Sequence, residues 1–276
     1  MLPNNLPKFR KPPVIETVLG LQFATLPNFG TAHLGSFWQY YNPEEWPHAN
    51  DAPAIEPQFE RFGEENRGRV SRLMFKVVSE IGLRMQIRNA EKNRMIQLQN
   101  GRLHYNWLGL DGGPYPSFSK VKLEFDKVFD SFRNYLKEHG FEDLQLNQWE
   151  ITYINHIPQG SIWSDPQDWQ DIFPSMMPFA AKASSIKLES LGGEWHYEIE
   201  PQKGRLHINI SHGWQGELKD KEVLVLNLTA RGPMPSTNTG SDPIDEGFRI
   251  GHEAIVRSFK ELTSDKAHQY WEEIHD

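Results

Sequence analysis

Histidine and glutamate residues recur at short spacing in the second half of the sequence. His196, His207 and His212 lie where polar and apolar residues alternate, and a hairpin there would place Glu198 or Glu200 beside His207. Imidazole and carboxylate groups that converge in this way can hold a divalent metal ion. A cross-strand pair of glutamate and histidine on a solvated sheet face explains the same spacing. We favour this second explanation and predict no metal site.

Signatures of the common enzyme classes do not occur in the sequence. The phosphate-loop, dinucleotide-binding, nucleophile-elbow and HExxH patterns are absent, and no cysteine offers a nucleophile or a thiolate ligand. Asp165 and Asp168 lie at a predicted helix start, where acidic residues complement the helix dipole. The sequence therefore identifies no catalytic residue and no cofactor. It leaves enzymatic activity open but favours a protein without one.

Alternating apolar residues predict a series of strands in the first half. Asn100-Gly101 separates two of them and predicts a tight hairpin with a type I′ turn, which would place Gln99 opposite Arg102 and Gln97 opposite His104. A stripe of apolar residues at helical spacing predicts a long helix over 117–139. A short helix is expected over 31–41, and residues 42–69 are predicted to form a surface loop. The predicted strands cover 14–23, 70–78, 83–88, 95–99 and 102–107.

The second half repeats this order of elements. Asp165-Pro166 predicts the start of a short helix, a second long helix is expected over 243–262, and Lys203-Gly204 is a predicted hairpin turn. The stretch Gln99 to Asn106 is restated from Gln202 to Asn209 with six of eight positions identical. The predicted strands cover 148–157, 185–191, 194–200, 205–211 and 223–230.

Each half thus combines a strand, a short helix, a four-strand meander and a long helix. We predict an α+β fold built from a duplicated unit, residues 1–140 and 141–276, with one continuous curved antiparallel sheet and the long helices on one face. The same order of elements defines the TATA-binding-protein repeat, which serves here as a fold analogy. Two independent sheet-plus-helix domains are the alternative.

The sheet face turned away from the helices carries the most informative residues. Strand alternation makes this face basic in the first half and mixed to acidic in the second. A charged open face is commonly only solvated surface, and the functional alternative is a binding face with unlike halves. The candidate binding residues are Arg72, Lys76, Arg84, Arg88, Arg102, His104, Arg205 and His207.

Two functions compete on this pattern. The first is a non-enzymatic binding module, whose basic half would contact a protein partner, a second copy of the chain, or nucleic acid. The alternative is a small-molecule or enzyme pocket between sheet and helices, lined by Trp107, Trp149, Tyr153 and Trp195, although ordinary core packing explains the same residues. A structural subunit of a larger assembly cannot be separated from the first.

Composition bounds these hypotheses. The 276 residues carry a net charge of −8, which disfavours sequence-blind binding of nucleic acid over the whole surface. No apolar stretch approaches the roughly 20 residues that span a bilayer. The N-terminus lacks a basic segment followed by an apolar run, so we expect no secretory signal. The absence of cysteine agrees with a reducing compartment, and we expect a cytoplasmic protein without membrane association.

Several stretches together carry a family resemblance. They are the runs Lys11 to Glu16, Ile96 to Gln99, Leu103 to Trp107 and Trp149 to Ile157, followed by His252, Ile255, Phe259 and Leu262-Thr263. In this order they resemble a sporadically distributed family of bacterial conserved hypothetical proteins with no established activity. Members more often carry arginine at the positions of Thr152 and His156, so a role of those arginines does not transfer. The resemblance implies a context of mobile elements or phage defence and no catalytic residues.

Overall fold

The computed structural model describes residues 6–62, 82–109, 113–175, 188–215, 221–236 and 241–275. The strands are β1 (Lys8–Phe9), β2 (Val14–Phe23), β3 (His48–Pro53), β4 (Leu83–Arg88), β5 (Arg94–Gln99), β6 (Arg102–Leu108), β7 (Leu146–Pro158), β8 (Gly193–Ile199), β9 (Gly204–Gln215), β10 (Lys221–Pro233) and β11 (Glu273–Ile274). The helices are α1 (Thr31–Tyr41), α2 (Phe118–Glu138), α3 (Trp169–Ile172), the one-turn segment α4 (Glu200–Lys203), α5 (Pro243–Leu262) and α6 (Asp265–Tyr270). A single turn of 3-10 helix, Pro166–Asp168, precedes α3.

In the part of the chain that the structure describes, nine strands form one antiparallel sheet in the order β3-β4-β5-β6-β2-β7-β10-β9-β8. The central pair joins β2 to β7, so the sheet runs without interruption from the first half of the chain into the second. β1 and β11 pair separately and bring the two ends of the chain together. The predicted α+β class with a large antiparallel sheet is confirmed.

The two long helices pack on the same face of this sheet. α2 lies against β2 and β6, and α5 lies against β7, β9 and β10. Leu19 of β2 stands opposite Tyr105 on one side and Ile151 on the other, so these three buried residues share the helix-facing side. The Tyr105 hydroxyl donates to Glu124 of α2 at 2.9 Å. The predicted helices over 117–139 and 243–262 match α2 and α5.

Trp149 is fully buried where α5 crosses the sheet. A Cβ atom on Gly247 would lie 2.4 Å from Trp149 Cδ1, and one on Gly251 would lie 2.5 Å from Cζ3. The helix can approach the sheet this closely only because these positions lack side chains. The space around Trp149 is therefore filled, as core packing requires.

The two copies of the repeated octapeptide occupy unlike places in the sheet. The predicted pairs of Gln99 with Arg102 and Gln97 with His104 are confirmed in the first hairpin. Only Gly101 of its two turn residues has a positive φ, so the turn is not type I′. The first copy lies on β6, next to the central pair, whereas the second lies on β9, one strand further out. The two copies of the octapeptide are therefore similar in sequence but do not occupy equivalent strands of the sheet.

Other boundaries differ from the sequence predictions. The turn predicted at Lys203-Gly204 lies earlier, at Glu200–Lys203, where Glu200 and Gln202 have positive φ. The predicted strand over 70–78 lies outside the described residues. So do residues 185–187 of the strand predicted over 185–191, whereas residues 188–191 are described and are not part of a strand. The predicted loop over 42–69 contains β3, which pairs with β4 at the sheet edge.

Among the residues that the structure describes, no helix is both long and apolar enough to cross a membrane.

Candidate functional site

The polar face of the sheet is crossed by an extended segment, residues 54–62, which we call the strap. It follows β3 directly and runs across the strands from β5 towards β9. Its backbone and its Glu60 side chain make most of the contacts with the sheet. A face expected to be open is therefore covered at one end of its central strands.

Three glutamines on neighbouring parts of the sheet hold the strap through its main chain. Gln99 accepts from the Ile55 N–H at 2.8 Å and donates to the Ile55 carbonyl at 2.9 Å. Gln22 makes the corresponding pair with Gln58, at 3.4 and 3.1 Å. Gln148 donates to the Gln58 carbonyl at 2.7 Å and accepts from the Glu60 N–H at 2.9 Å. Because these bonds go to backbone atoms, they recognise an extended peptide rather than particular side chains.

The side chain of Glu60 in the strap is held by three basic residues at once. Its carboxylate lies 2.6 Å from His207 Nε2 and 3.0 Å from Arg231 Nε, and Arg205 Nη1 donates to its second oxygen. The side chain is only 5 % exposed. Burial alone would raise its pKa, but the hydrogen bond and charge of His207 and the charges of Arg231 and Arg205 lower the pKa of Glu60 to about 2. Glu60 therefore binds as a carboxylate.

Arg102 and His104 are each only 4 % exposed, which corrects the expectation that they face solvent. Arg102 donates to Gln22 at 2.8 Å and lies 4.0 Å from the Glu150 carboxylate. His104 Nε2 lies 3.5 Å from the same carboxylate. Burial lowers the pKa of His104 to about 4, against the opposing charge of Glu150, so its imidazole is neutral at pH 7.

Gly20 allows this arrangement of His104. The two residues are opposite each other in the β2–β6 pair, and a Cβ atom on Gly20 would lie 2.4 Å from His104 Cδ2. The ring therefore lies over the glycine and reaches towards Glu150 of β7. Arg231 of β10 approaches Glu150 from the other side, with Nη1 3.5 Å from the second carboxylate oxygen.

Three guanidinium groups thus gather on this face, and we call Arg102, Arg205 and Arg231 the arginine cluster. Within their contacts the sheet contributes one carboxylate, Glu150, and the strap contributes the other, Glu60. Without the strap the cluster would carry excess positive charge in a partly buried setting. Such a site favours an acidic group.

The remaining predicted binding residues are dispersed. Arg84 and Arg88 are half-buried on β4, towards the edge of the sheet. Burial lowers the pKa of Arg84, and Arg88 Nε lies 3.4 Å from Met95 Sδ. Arg72 and Lys76 lie outside the described residues. Arg205 and His207 are on the predicted face, where both contact Glu60.

The three histidines considered as metal ligands, His196, His207 and His212, do not converge. His196 and His207 are opposite each other, with their Nδ1 atoms 2.8 Å apart, whereas Arg205 stands opposite Glu198. His212 points to the other face, where its ring packs edge-on against Trp163 and Trp169. In the described ranges, no group of three or more histidine, aspartate or glutamate side chains is arranged to hold a metal ion.

The four residues named for the alternative pocket between sheet and helices lie in different surroundings. Trp107 and Trp149 are buried in the core, and Trp195 is partly buried on the outer strand β8. Tyr153 borders a cavity together with Tyr115 and His252. This cavity lies at the end of the sheet near residues 6–12, which we call the N-terminal arm.

Five residues that build the strap site were not among the predicted binding residues. They are Gln22, Glu60, Gln99, Gln148 and Arg231. Glutamines at outward positions of apolar strands were the one available signal, because buried amides need partners. Nothing in the strap itself indicated its place, since it has no periodic apolar pattern.

No protein-family model matches this chain, and a search of curated proteins finds none that matches it.

Proposed function

We propose that this chain is a non-enzymatic binding module whose polar sheet face accepts an extended acidic segment of a protein partner. The observation that carries the proposal is the Glu60 carboxylate, held by Arg205, His207 and Arg231. The strap is then an internal occupant of the same site. It provides an example of the ligand class, an extended peptide with a glutamate in register with the arginine cluster.

Two features support peptide recognition over recognition of nucleic acid. Gln22, Gln99 and Gln148 pair with both donors and acceptors of a peptide backbone, whereas a phosphate backbone offers acceptors only. The net charge of −8 also opposes the long-range attraction on which non-specific nucleic-acid binding depends. Main-chain pairing contributes affinity, and the glutamate position contributes selectivity.

The proposal implies that the strap and an external partner compete for the same site on the sheet. A segment tethered next to its site acts at an effective concentration in the millimolar range, so an external peptide must exceed this or meet a weakened strap. Glu60→Gln weakens the strap and leaves the arginine cluster in place. The variant is therefore the form of the protein in which external binding is easiest to observe.

The test uses a fluorescently labelled peptide with the sequence of residues 54–62 and measures its anisotropy with the full-length protein. We expect the Glu60→Gln protein to bind it at least tenfold more tightly than the wild type. A peptide carrying glutamine at the position of Glu60 should bind neither protein, and binding should weaken as salt rises. Glu44→Gln, at an exposed position after α1, is the matched control and should behave as the wild type.

Other outcomes would redirect or reject the proposal. If labelled single-stranded DNA binds more tightly than the peptide, with a steep salt dependence, the face is a nucleic-acid site. Light scattering in low and high salt tests a second copy as partner, and a monomer in both excludes it. If the peptide binds neither protein at millimolar concentration, the strap contacts serve only the fold.

The architecture carries a related proposal, that the chain is a duplicated unit like the TATA-binding-protein repeat. The order β2, α1, β3 to β6, α2 resembles the order β7, α3, β8 to β10, α5, with β2 and β7 side by side at the centre. The octapeptide gives no support, because its copies lie on strands at unlike distances from that centre.

The biological setting is likewise proposed. Membership of the bacterial family named above, a cytoplasmic location and a context of mobile elements or phage defence agree with the resemblance and with the lack of cysteine. Arg84 and Arg88 would extend the acidic-partner surface towards the sheet edge. Arg72 and Lys76 are part of the same proposal by sequence pattern alone.

A further inference from the structure

A cavity of about 420 Å³ lies between the first turn of α2, α5, β7 and the N-terminal arm. Its position is unrelated to the strap, which crosses the opposite face of the sheet. Volumes of this size are typical of small-molecule sites. Its apolar wall includes Leu6, Phe9, Val14, Phe118, Ile255 and Phe259.

A chain of three polar groups faces this apolar wall. The hydroxyls of Tyr115 and Tyr153 are 2.8 Å apart, and the Tyr153 hydroxyl is 3.1 Å from His252 Nδ1. The His252 ring stacks on Phe118, with centroids 3.9 Å apart and planes within 5°. The three groups are thereby held in fixed positions at the cavity, as a preorganised binding site requires.

Burial keeps these three polar side chains uncharged at neutral pH. It lowers the pKa of His252 to about 4 and raises the pKa of Tyr115 and of Tyr153. Each hydroxyl donates one hydrogen bond and accepts others, and a neutral imidazole does both. The hydrogen-bonded series of Tyr115, Tyr153 and His252 can therefore present either a hydrogen-bond donor or an acceptor to a ligand. Which of the two it presents depends on the direction in which its protons are arranged.

The lining also limits the charge of a ligand. Among the described residues that border the cavity, Lys8 is the one with a charged side chain, and it is exposed at the arm. No carboxylate of those residues is placed to pair with a buried cation. A charged group moved into such an apolar space without a partner loses its hydration at a large free-energy cost.

We propose that this cavity binds an uncharged amphipathic small molecule, with an aromatic or aliphatic body and one hydroxyl or carbonyl group directed at Tyr115, Tyr153 and His252. The apolar walls contact the body, and the polar chain fixes its orientation. This site is separate from the peptide site of the proposed function, and either can exist without the other.

The test compares four probes with the same ring system by isothermal titration calorimetry on the full-length protein. They are 2-naphthol, 2-methylnaphthalene, 2-naphthoate and 2-naphthylmethylammonium. We expect 2-naphthol to bind most tightly, at least tenfold more tightly than either charged probe. Its advantage over 2-methylnaphthalene, which lacks the hydroxyl, should be about tenfold, as expected for one buried hydrogen bond.

Variants then locate the site. Tyr153→Phe should remove the advantage of 2-naphthol over 2-methylnaphthalene without weakening the latter, and Tyr197→Phe, on an exposed tyrosine of β8, should change neither. Val256→Trp and Ser119→Trp place a large ring in the cavity and should abolish binding of both. If Val256→Trp does not fold, Ser119→Trp at an exposed position provides the same test.

Three results would overturn the proposal. The first is that none of the probes binds the wild type up to its solubility limit. The second is that a charged probe binds as tightly as 2-naphthol. The third is that the Ser119→Trp protein, shown to be folded by circular dichroism, binds 2-naphthol as the wild type does.

Discussion

Replacing Glu60 by glutamine should destabilise the protein in a manner that depends on pH. The group has a folded pKa of about 2 against an ordinary value of 4.5. At about 1.36 kcal/mol per unit, this corresponds to about 3 kcal/mol of unfolding free energy at neutral pH. The side chains of Arg205 and His207 are 24 % and 22 % exposed, so solvent screening reduces the expected loss to about 2 kcal/mol.

The sign of the pH dependence follows from the lowered pKa. A carboxylate with a depressed folded pKa stabilises the protein above pH 4.5, and this stabilisation is lost as the pH falls towards 2. Urea denaturation of wild type and Glu60→Gln at pH 7 and at pH 3 should therefore show a difference that shrinks by more than half at the lower pH. Glu44→Gln should show no such difference at either pH.

A constant difference between Glu60→Gln and wild type across this pH range would refute the reasoning. It would mean that ionised Glu60 holds the strap no more strongly than uncharged Glu60 does. A difference in unfolding free energy below about 0.5 kcal/mol at pH 7 would have the same meaning, because ion pairs that are exposed to solvent already contribute that much.

Three further substitutions test the packing and the hydrogen bonds of the fold. Gly247→Ala should lower stability by about 1–3 kcal/mol in thermal unfolding, because its Cβ would overlap Trp149, whereas Gly35→Ala, with open space around it in α1, should raise stability by about 0.5–1 kcal/mol. Asn100→Ala should cost about 2–3 kcal/mol in urea denaturation, because it removes three hydrogen bonds to the backbone of residues 26–29, and an unchanged midpoint would contradict that account.

The parts of the fold with a local signal were predictable. Alternation placed Leu103, Tyr105 and Trp107 on the helix-facing side, and they are buried there. The apolar stripes of α2 and α5 gave those helices their bounds to within a residue or two. In each case the pattern is repeated every two or every three to four residues, so many positions support one conclusion.

The candidate site depends on contacts that have no local signal. Alternation correctly placed Arg102, His104, Arg205 and His207 on the polar face. It could not show that the first two are buried there or that the last two contact Glu60 of the strap. Glu60 contacts Arg205 and Arg231, which lie 145 and 171 positions further along the sequence. Each of these ion pairs depends on one basic side chain. A segment held through its backbone needs no particular sequence, so its own residues cannot reveal it.

The octapeptide shows that a local sequence match can also suggest more than the fold contains. Six identical positions suggested equivalent elements, yet β6 lies beside the central pair and β9 lies one strand further out. What the copies share is a strand with a leucine towards the helices and arginine and histidine on the polar face. Any antiparallel strand of this sheet with one apolar and one polar side meets the same requirement.

The most direct test of the central claim asks whether strap and peptide occupy the same place. Hydrogen exchange of the Glu60→Gln protein is measured by mass spectrometry with and without an excess of the 54–62 peptide, labelled so that its mass is distinct. If the peptide displaces the strap, exchange within residues 54–62 of the protein rises while β9 and β10 stay protected. If the peptide binds and exchange of the strap is unchanged, the peptide has another site and the proposed function is wrong.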